Sequence, residues 1–279
     1  MNNTTGKFEH VITPATSGMF QSLQAVWKER PVLWVMAKRE MAIRFSKLSF
    51  KFAWIGFRPV IQLLIYLYVF VFVLKSTHPS LPYALIIVSG FLTWLPFIET
   101  MHSAGKAVEA DKILLQKSTI SRLSFPIYRT LVCLPELIII LLVFFICAGF
   151  LNFSPSLSWK LLLLPFITFF QLVFILGLCL WSNVFLIRNP NIHHLLFVFL
   201  GYVLWITPVF YMPEMVPAPL KTILSLNPLA SVLALYRYVL LDVPAPIIEW
   251  LPSSILTFCL FASGLYYYTR YQDLFVERM

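Results

Sequence analysis

Long apolar runs, separated by short segments that carry most of the charge, dominate the pattern of this chain. A helix needs roughly 20 mainly apolar residues to cross the hydrocarbon core of a bilayer. Runs near that length predict six spans, over the ranges Phe52–Leu74, Pro82–Glu99, Ile127–Leu151, Leu161–Ile187, Ile192–Met212 and Ile247–Tyr268. The pattern therefore predicts an all-α membrane protein whose six transmembrane helices form one domain, residues 52–279.

The residues before the first span follow a different pattern. Residues 1–18 are polar and predict a flexible N-terminal tail, whereas residues 19–51 are amphipathic. Apolar residues recur there at helical steps, with basic residues on the other faces, at Trp34, Ala37, Met41, Phe45 and Leu48. A basic amphipathic helix with aromatic residues lies well among lipid headgroups. We predict an interfacial helical segment, and the alternative is a helix packed as in a soluble protein.

Two short apolar pieces precede the last span. Leu220–Leu226 and Ser231–Leu241 flank the pair Asn227-Pro228, and each piece is too short to cross a bilayer. Non-helical backbone at membrane depth has to be buried in protein or line a cavity. We therefore predict two short re-entrant helices that dip into the outer leaflet. The alternative is a helical hairpin on the membrane surface.

Composition and charge exclude several classes of protein. Hydrophobic residues make up 59% of the chain and charged residues 12%, about half the share that soluble domains carry. The net charge of +9 does not indicate nucleic-acid binding, because the basic residues lie between the apolar runs. The four cysteines lie inside apolar runs, without the spacing of metal ligands. Lipid is therefore the expected surrounding of most of the chain.

The distribution of Lys and Arg predicts the orientation in the membrane. With a cytoplasmic N-terminus, the inner segments hold 16 of these residues. The outer segments hold four, Lys75, Lys160, Lys221 and Arg237, and Arg58 lies inside the first span. Because cytoplasmic loops are enriched in basic residues, both termini are expected on the cytoplasmic side.

No sequence motif indicates catalysis or nucleotide binding by this chain. The sequence contains no G-x-x-x-x-G-K-[ST] loop, so ATP binding by that device is not expected. It also lacks G-x-S-x-G, H-E-x-x-H and closely spaced carboxylate pairs. His193 and His194 are adjacent, and neighbouring residues on a helix point in different directions, so a shared metal ion is not expected. We predict no catalytic, cofactor-binding or metal-binding residue.

Three charged residues are predicted inside spans, near the cytoplasmic leaflet. Arg58 lies early in the first span, Glu99 late in the second and Glu136 early in the third. Charge inside a span is costly unless it is paired or reaches the headgroups. One interpretation is an intramembrane polar cluster in which Arg58 pairs with one of the acids. The other is that Arg58 snorkels and the acids lie at the membrane edge.

Aromatic residues suggest a path for a substrate that stacks on rings. The candidates in and after the spans are Trp94, Tyr202, Trp205, Phe210 and Tyr211. Most aromatic residues of membrane proteins are interfacial anchors or face lipid, and that interpretation stays open for each of them.

Five segments in order resemble the permease subunits of ABC-2 type exporters, and within them the O-antigen, capsular-polysaccharide and teichoic-acid exporters. They are RFSKLSFKFAWIGFRP, SGFLTWLPF, SFPIYR, the stretch from Arg188 to TPVFY, and NPLASVLALYRYVLL. The residues that carry the resemblance include Arg44, Trp54, Pro59, Pro208, Asn227, Pro228 and Arg237. Lys51 and Asn189 depart from the glycine and aspartate that the family usually has there.

The resemblance implies a homodimer that works with two cytoplasmic ATPase subunits, which would hold ATP and Mg²⁺. It implies export of a lipid-linked polysaccharide across the bacterial inner membrane, without covalent chemistry by this chain. It also implies a coupling helix between the second and third spans, at about Ala104–Lys117. Contact with the ATPases is expected from Lys106, Glu109, Asp111 and Lys112 of that segment.

Three other functions compete with this interpretation. An exporter of small lipophilic drugs or lipids would share the same fold. An intramembrane glycosyl- or acyltransferase would need a convergent set of acids and histidines, which no spacing in the sequence provides. An ion-coupled transporter would show inverted repeats and polar residues at mid-membrane depth, and the sequence shows neither.

The predicted orientation can be measured by labelling single cysteines. Lys112→Cys is expected to react with a membrane-impermeant thiol reagent only after the cells are permeabilised. Ala218→Cys is expected to react in intact cells, because the charge asymmetry places it outside. Labelling of position 218 from the cytoplasmic side alone would overturn the orientation.

Overall fold

The computed structural model describes residues 19–46, 53–154, 159–244, 250–272 and residue 275. Within these residues the protein is helical and contains no β-strand, which confirms the predicted all-α class. The first helices are α1 (Met19–Lys28), α2 (Arg30–Ser46), α3 (Ala53–Leu67), α4 (Tyr83–Ala104), α5 (Ala107–Ala110), α6 (Lys112–Lys117) and α7 (Ser124–Leu131). The others are α8 (Leu134–Phe150), α9 (Leu164–Arg188), α10 (Pro190–Ile206), α11 (Ala218–Leu226), α12 (Pro228–Leu240) and α13 (Trp250–Tyr271).

Several of these helices have the length and apolar character of membrane spans. Among the described residues, three stretches are long and apolar enough: Tyr83–Ala104, Ser124–Phe150 and Trp159–Arg188. The bent pair formed by α11 and α12 adds a fourth if it is taken as one span. Pro59–Val73 and Pro190–Ile206 are apolar but shorter. The helices are thus those of a membrane protein, while the count of six spans stays a prediction.

Three of the predicted spans differ from one continuous α-helix. The third divides into α7 and α8 just before Pro135, since a proline inside a helix removes a backbone hydrogen bond. The fifth was expected to reach Met212, but α10 ends at Ile206. The reason is Pro208, which excludes Thr207 from the helical region, and Thr207 is extended with ψ of 132°. The first span also changes, from α3 to a π-helix at Tyr68–Val73.

The two short apolar pieces before the last span form α11 and α12, which meet at an angle of 91°. Asn227 caps α12, and its side-chain oxygen accepts a hydrogen bond from the Leu229 amide at 3.0 Å. Pro228 is the first residue of α12, a position where the missing N–H of proline does no harm. The Asn-Pro pair therefore produces the bend locally. The depth of both helices in a bilayer stays a prediction.

Helix α9 lies at the centre of the molecule and packs against α4, α7, α10, α12 and α13. Its contact with α13 is close because two glycines meet there. A Cβ atom added to Gly177 would lie 2.9 Å from the backbone of Phe261, and one added to Gly264 would lie 2.8 Å from the carbonyl oxygen of Gly177. Small residues of this kind let membrane helices approach each other without a hydrophobic driving force.

The N-terminal helices pack onto this bundle. Helix α1 contacts α13 and helix α2 contacts α7. The buried face of α2 is formed by Leu33, Met36 and Ala37, whereas Trp34 is exposed. Of the apolar stripe predicted from the sequence, Ala37 therefore faces the protein interior, whereas Trp34 faces outward. Residues 1–18 and 47–52 lie outside the described residues, so the predicted tail and the junction with the first span stay predictions.

The close contact of α9 and α13 predicts that Gly177 and Gly201 differ in how much an alanine substitution destabilises the protein. Gly177→Ala should lower the free energy of unfolding by about 1–3 kcal/mol, because the new methyl group overlaps the backbone of α13. Gly201→Ala is the matched control, since a Cβ there meets no atom within 4 Å. Thermal unfolding of the purified protein in detergent measures both. Equal transition temperatures for the two variants would contradict this packing.

Candidate functional site

The coupling segment, residues 105–123 between α4 and α7, contains most of the predicted coupling helix and is held against α9 by hydrogen bonds. The side-chain oxygen of Asn183 accepts from the Val108 amide at 2.9 Å, and its nitrogen donates to the Ala104 carbonyl oxygen at 2.7 Å. Ser182 donates to the Gly105 carbonyl oxygen at 2.8 Å. Since Asn183 and Ser182 are both fully buried, they fix the start of α5 to the central helix.

Further along the same segment, Asp111 forms a buried ion pair with Arg129 of α7. The Arg129 Nε lies 2.7 Å from Asp111 Oδ2, and Nη2 lies 3.1 Å from Oδ1, so the pairing is bidentate. The Tyr128 hydroxyl donates to the same Oδ2 at 2.5 Å. Both Asp111 and Arg129 are 7% exposed. Bidentate, charge-assisted bonds of this kind are strong and geometrically specific.

The same guanidinium also binds the N-terminal helices. Its Nη1 donates to Glu40 Oε1 of α2 at 3.0 Å, so one arginine joins α2, the coupling segment and α7. Glu29, between α1 and α2, accepts from the Ser121 amide at 2.9 Å and from the Ser124 hydroxyl at 2.7 Å. The N-terminal helices are therefore fixed to the coupling segment and to α7 by two separate carboxylates.

The four residues predicted to contact a partner differ in position. Asp111 is inside the protein, bound to Arg129, whereas Glu109 and Lys112 are exposed. Lys106 is half-buried, and its ammonium lies 4.8 Å from the ring centre of Phe197. A surface available to a partner thus includes Glu109 and Lys112, together with Ile113. The sequence analysis did not predict a role for Arg129, although this residue belongs to SFPIYR, one of the five segments that resemble the family.

At the other end of α4, Arg237 of α12 binds the loop that follows α10. Its guanidinium donates to the carbonyl oxygens of Tyr211, Val209 and Ile86 at 3.0–3.2 Å, and to the Ser89 hydroxyl at 3.3 Å. Arg237 is 2% exposed. The loop approaches α4 at Gly90, where an added Cβ would lie 2.6 Å from the Val209 oxygen.

The other residues that carry the family resemblance lie in different parts of the structure. Asn227 donates to the Thr207 hydroxyl at 3.0 Å, which links the bend before α12 to the residue beside Pro208. Pro59 lies inside α3. The side chains of Arg44 and Trp54 lie outside what the structure describes.

The candidate aromatic residues do not form one surface within this chain. Trp94 and Phe210 are buried in the core, and Phe210 packs against Tyr66 and other rings. Tyr202 and Trp205 are 61% and 60% exposed on α10. Tyr211 is half-buried, and its hydroxyl donates to the carbonyl oxygens at the end of α10 at 3.2 Å. Only Tyr202, Trp205 and part of Tyr211 are accessible in one copy, so the substrate path stays a prediction.

The predicted pairing of Arg58 stays open. Its side chain lies outside what the structure describes. Helix α3, which carries Arg58, packs against α4 and α8, which carry Glu99 and Glu136 respectively. The three helices are therefore neighbours, as the prediction requires, and both acids are half-buried.

Comparison with known proteins gives one family and a set of relatives. Residues 31–241 match the family described as ABC-2 type transporter, a range that contains α5, Arg129 and Arg237. The chain is 26% identical over 216 residues to the O-antigen export system permease protein RfbA of Klebsiella pneumoniae, which covers 74% of this chain and 78% of that protein. A second protein of the same name and organism is 24% identical with the same coverage.

The ion pair predicts which charged residues stabilise the fold. Arg129→Met should lower the free energy of unfolding by about 3–5 kcal/mol, because it leaves the buried Asp111 carboxylate without its cation. The double variant Arg129→Met/Asp111→Leu should recover part of this loss, since it removes a stranded charge as well. Chemical unfolding in detergent provides the measurement.

Lys112→Gln is the matched control, because Lys112 is next to Asp111 but exposed. Its effect should stay within about 0.5 kcal/mol of zero. If Arg129→Met unfolds under the same conditions as the original protein, the guanidinium does not join the three segments as described.

Proposed function

The chain belongs to the ABC-2 type transporter family, and on this premise we propose that it is the permease subunit of an exporter of lipid-linked polysaccharide. The substrate would be a glycan of the O-antigen, capsular or teichoic-acid type, moved across the bacterial inner membrane. The observation that carries this proposal is the similarity to two O-antigen export permeases over 74% of the chain.

Energy would come from two ATPase subunits that hold ATP and Mg²⁺ on the cytoplasmic side of a permease homodimer. The family match and the exposed charges of the coupling segment support this assembly. Glu109 and Lys112 would meet the ATPases at the surface. Arg129 and Asp111 would act inside the permease and keep the segment attached to α2 and α7.

The coupling mechanism follows from this division. Closure of the ATPases on ATP would push the coupling segment, which can shift the permease only if the ATPases fit its two states differently. Because Arg129 joins the segment to α2 and α7, these three parts would move as one body. Helix α7 is the first part of the candidate span Ser124–Phe150, so the displacement would reach a membrane-spanning helix and alter its packing.

The proposed arrangement in the membrane has six spans and two cytoplasmic termini. Residues 19–51 would lie in the cytoplasmic headgroup layer, and residues 52–279 would form the transmembrane domain with α11 and α12 re-entrant. The asymmetry of basic residues supports this orientation. Exposed apolar side chains on α3 and α10, such as Phe57 and Phe199, are suited to contact with lipid or a second copy.

Export by the complex can be tested through the exposed charges of the coupling segment. The variant Glu109→Lys/Lys112→Glu should reduce the glycan at the cell surface by at least about fivefold, the lower end of typical coupling energies. Its physical cause would be the loss of charge complementarity with the ATPases. Surface glycan and ATP hydrolysis are measured in cells that contain the chain, its ATPase and the glycan synthesis enzymes.

Arg270→Glu is the control, because Arg270 is an exposed basic residue at the end of α13, apart from the coupling segment. It should leave export unchanged. Asp111 is kept in both variants of this export test, because its substitution would disturb the fold. If the doubly reversed variant exports as much glycan as the unsubstituted protein, Glu109 and Lys112 do not dock the ATPases. If the unsubstituted protein exports no glycan, the proposed function itself is wrong.

A further inference from the structure

A cavity of about 300 Å³ lies beside Arg237, between α11, α12 and the loop after α10. Its polar lining comes from Arg237, Lys221, Glu214 and two serines, and its other lining residues are mostly apolar. The three charged residues of the lining together carry a net charge of +1. No residue between α4 and α7 lines the cavity, so it is distinct from the coupling segment.

All described hydrogen bonds of Arg237 go to neutral groups, and the Glu214 carboxylate on the same cavity acts on its charge only at longer range. Its four hydrogen bonds go to three carbonyl oxygens and one hydroxyl, and no described carboxylate forms an ion pair with it. A guanidinium has five N–H donors, so one hydrogen of Nη1 is left without a described acceptor. A buried cation without a direct ion pair is costly, and an anionic ligand in the adjoining cavity would offset that cost.

The lining favours a phosphate-type anion. Guanidinium and ammonium groups are the usual ligands of phosphate, and Arg237 and Lys221 provide one of each on the same cavity. Glu214 opposes an anion, which reduces the attraction but leaves the lining positive. Ser225 adds a hydroxyl on α11, the helix that also carries Lys221.

Helix α11 presents a second, apolar surface next to this cavity. Lys221, Leu224 and Ser225 line the cavity at helical spacing, whereas Leu220 and Ile223 on another face are 50% and 55% exposed. An amphiphile with a phosphate headgroup therefore fits this end of the molecule. Its headgroup would enter the cavity, and its hydrocarbon chain would lie along the exposed face of α11.

We propose that the cavity between α11 and α12 binds the phosphate headgroup of the lipid-linked substrate. This inference rests on the proposed function, and the charge asymmetry places the cavity on the outer side. Bound there, the headgroup would be held after it has crossed the membrane and before it leaves. Bulk phospholipid and free phosphate share the headgroup chemistry, and the experiment separates them.

The test measures binding to the purified full-length protein in detergent by equilibrium dialysis. The main probe is farnesyl diphosphate, which has a phosphate headgroup and a short hydrocarbon chain. Farnesol, inorganic pyrophosphate and a short-chain phosphatidylglycerol are the comparison probes. Farnesyl diphosphate should bind more tightly than farnesol or pyrophosphate, because each of these lacks either the anionic headgroup or the hydrocarbon chain. It should also bind more tightly than phosphatidylglycerol, because its diphosphate carries more negative charge than a phosphodiester.

Substitutions of opposite sign make the test specific to the cavity. Lys221→Gln should weaken the binding of farnesyl diphosphate by about two- to fivefold, the range of partly exposed charge pairs. Glu214→Gln should tighten it by a similar factor, which a purely structural role would not do. Ala234→Phe should abolish binding, because its ring occupies the cavity that Ala234 lines. Lys75→Gln is the control, an exposed lysine expected on the same side but outside the cavity.

Each contrary result overturns a defined part of the proposal. Unchanged affinity in both Lys221→Gln and Glu214→Gln, or equal binding of farnesol, would exclude an anion site. Equal binding of phosphatidylglycerol would assign the cavity to bulk phospholipid, and equal binding of pyrophosphate would exclude the amphiphile. If the original protein exports glycan but binds no probe, the site is wrong while the function stands. Probe binding without any export would show the reverse.

Discussion

A charged group inside an apolar helix bundle has to find its partners within the protein, and two arginines show what this constraint does to the structure. Arg129 meets two carboxylates from segments far apart in the chain, Asp111 and Glu40. Arg237 instead meets backbone oxygens that a loop and α4 turn towards it. In both cases the fold around the guanidinium is fixed by the need to satisfy it, because an unsatisfied buried charge costs several kcal/mol, on the order of 3–5.

The two solutions suit different tasks. The carboxylate pairs around Arg129 join α2, the coupling segment and α7 by directional bonds, so under the proposed function a force on the segment would pass to a membrane-spanning helix. The carbonyl partners of Arg237 order the loop after α10 but leave the positive charge without a direct ion pair among the described residues. The first arrangement favours transmission of movement, and the second favours a ligand of opposite charge.

Proline and glycine positions explain how the loop reaches Arg237. Pro208 ends α10, and Gly90 lets the loop lie against α4 at a distance that a side chain would prevent. Asn227 then bends the chain between α11 and α12 and binds Thr207 of the same loop. These local features bring α11, α12 and the loop together, and the cavity lies between them.

The sequence by itself determined the helical class, the apolar stretches, the bend at Asn227-Pro228 and the presence of a charged segment between α4 and α7. These depend on neighbours in the chain, whose hydropathy and backbone preferences are visible in the sequence. Only the tertiary structure decided that Asp111 is buried while Glu109, two residues away, is exposed. It also decided that Trp94 is in the core while Trp205 faces outward. Burial depends on partners such as Arg129 and Glu40, which no pattern along the chain connects to Asp111.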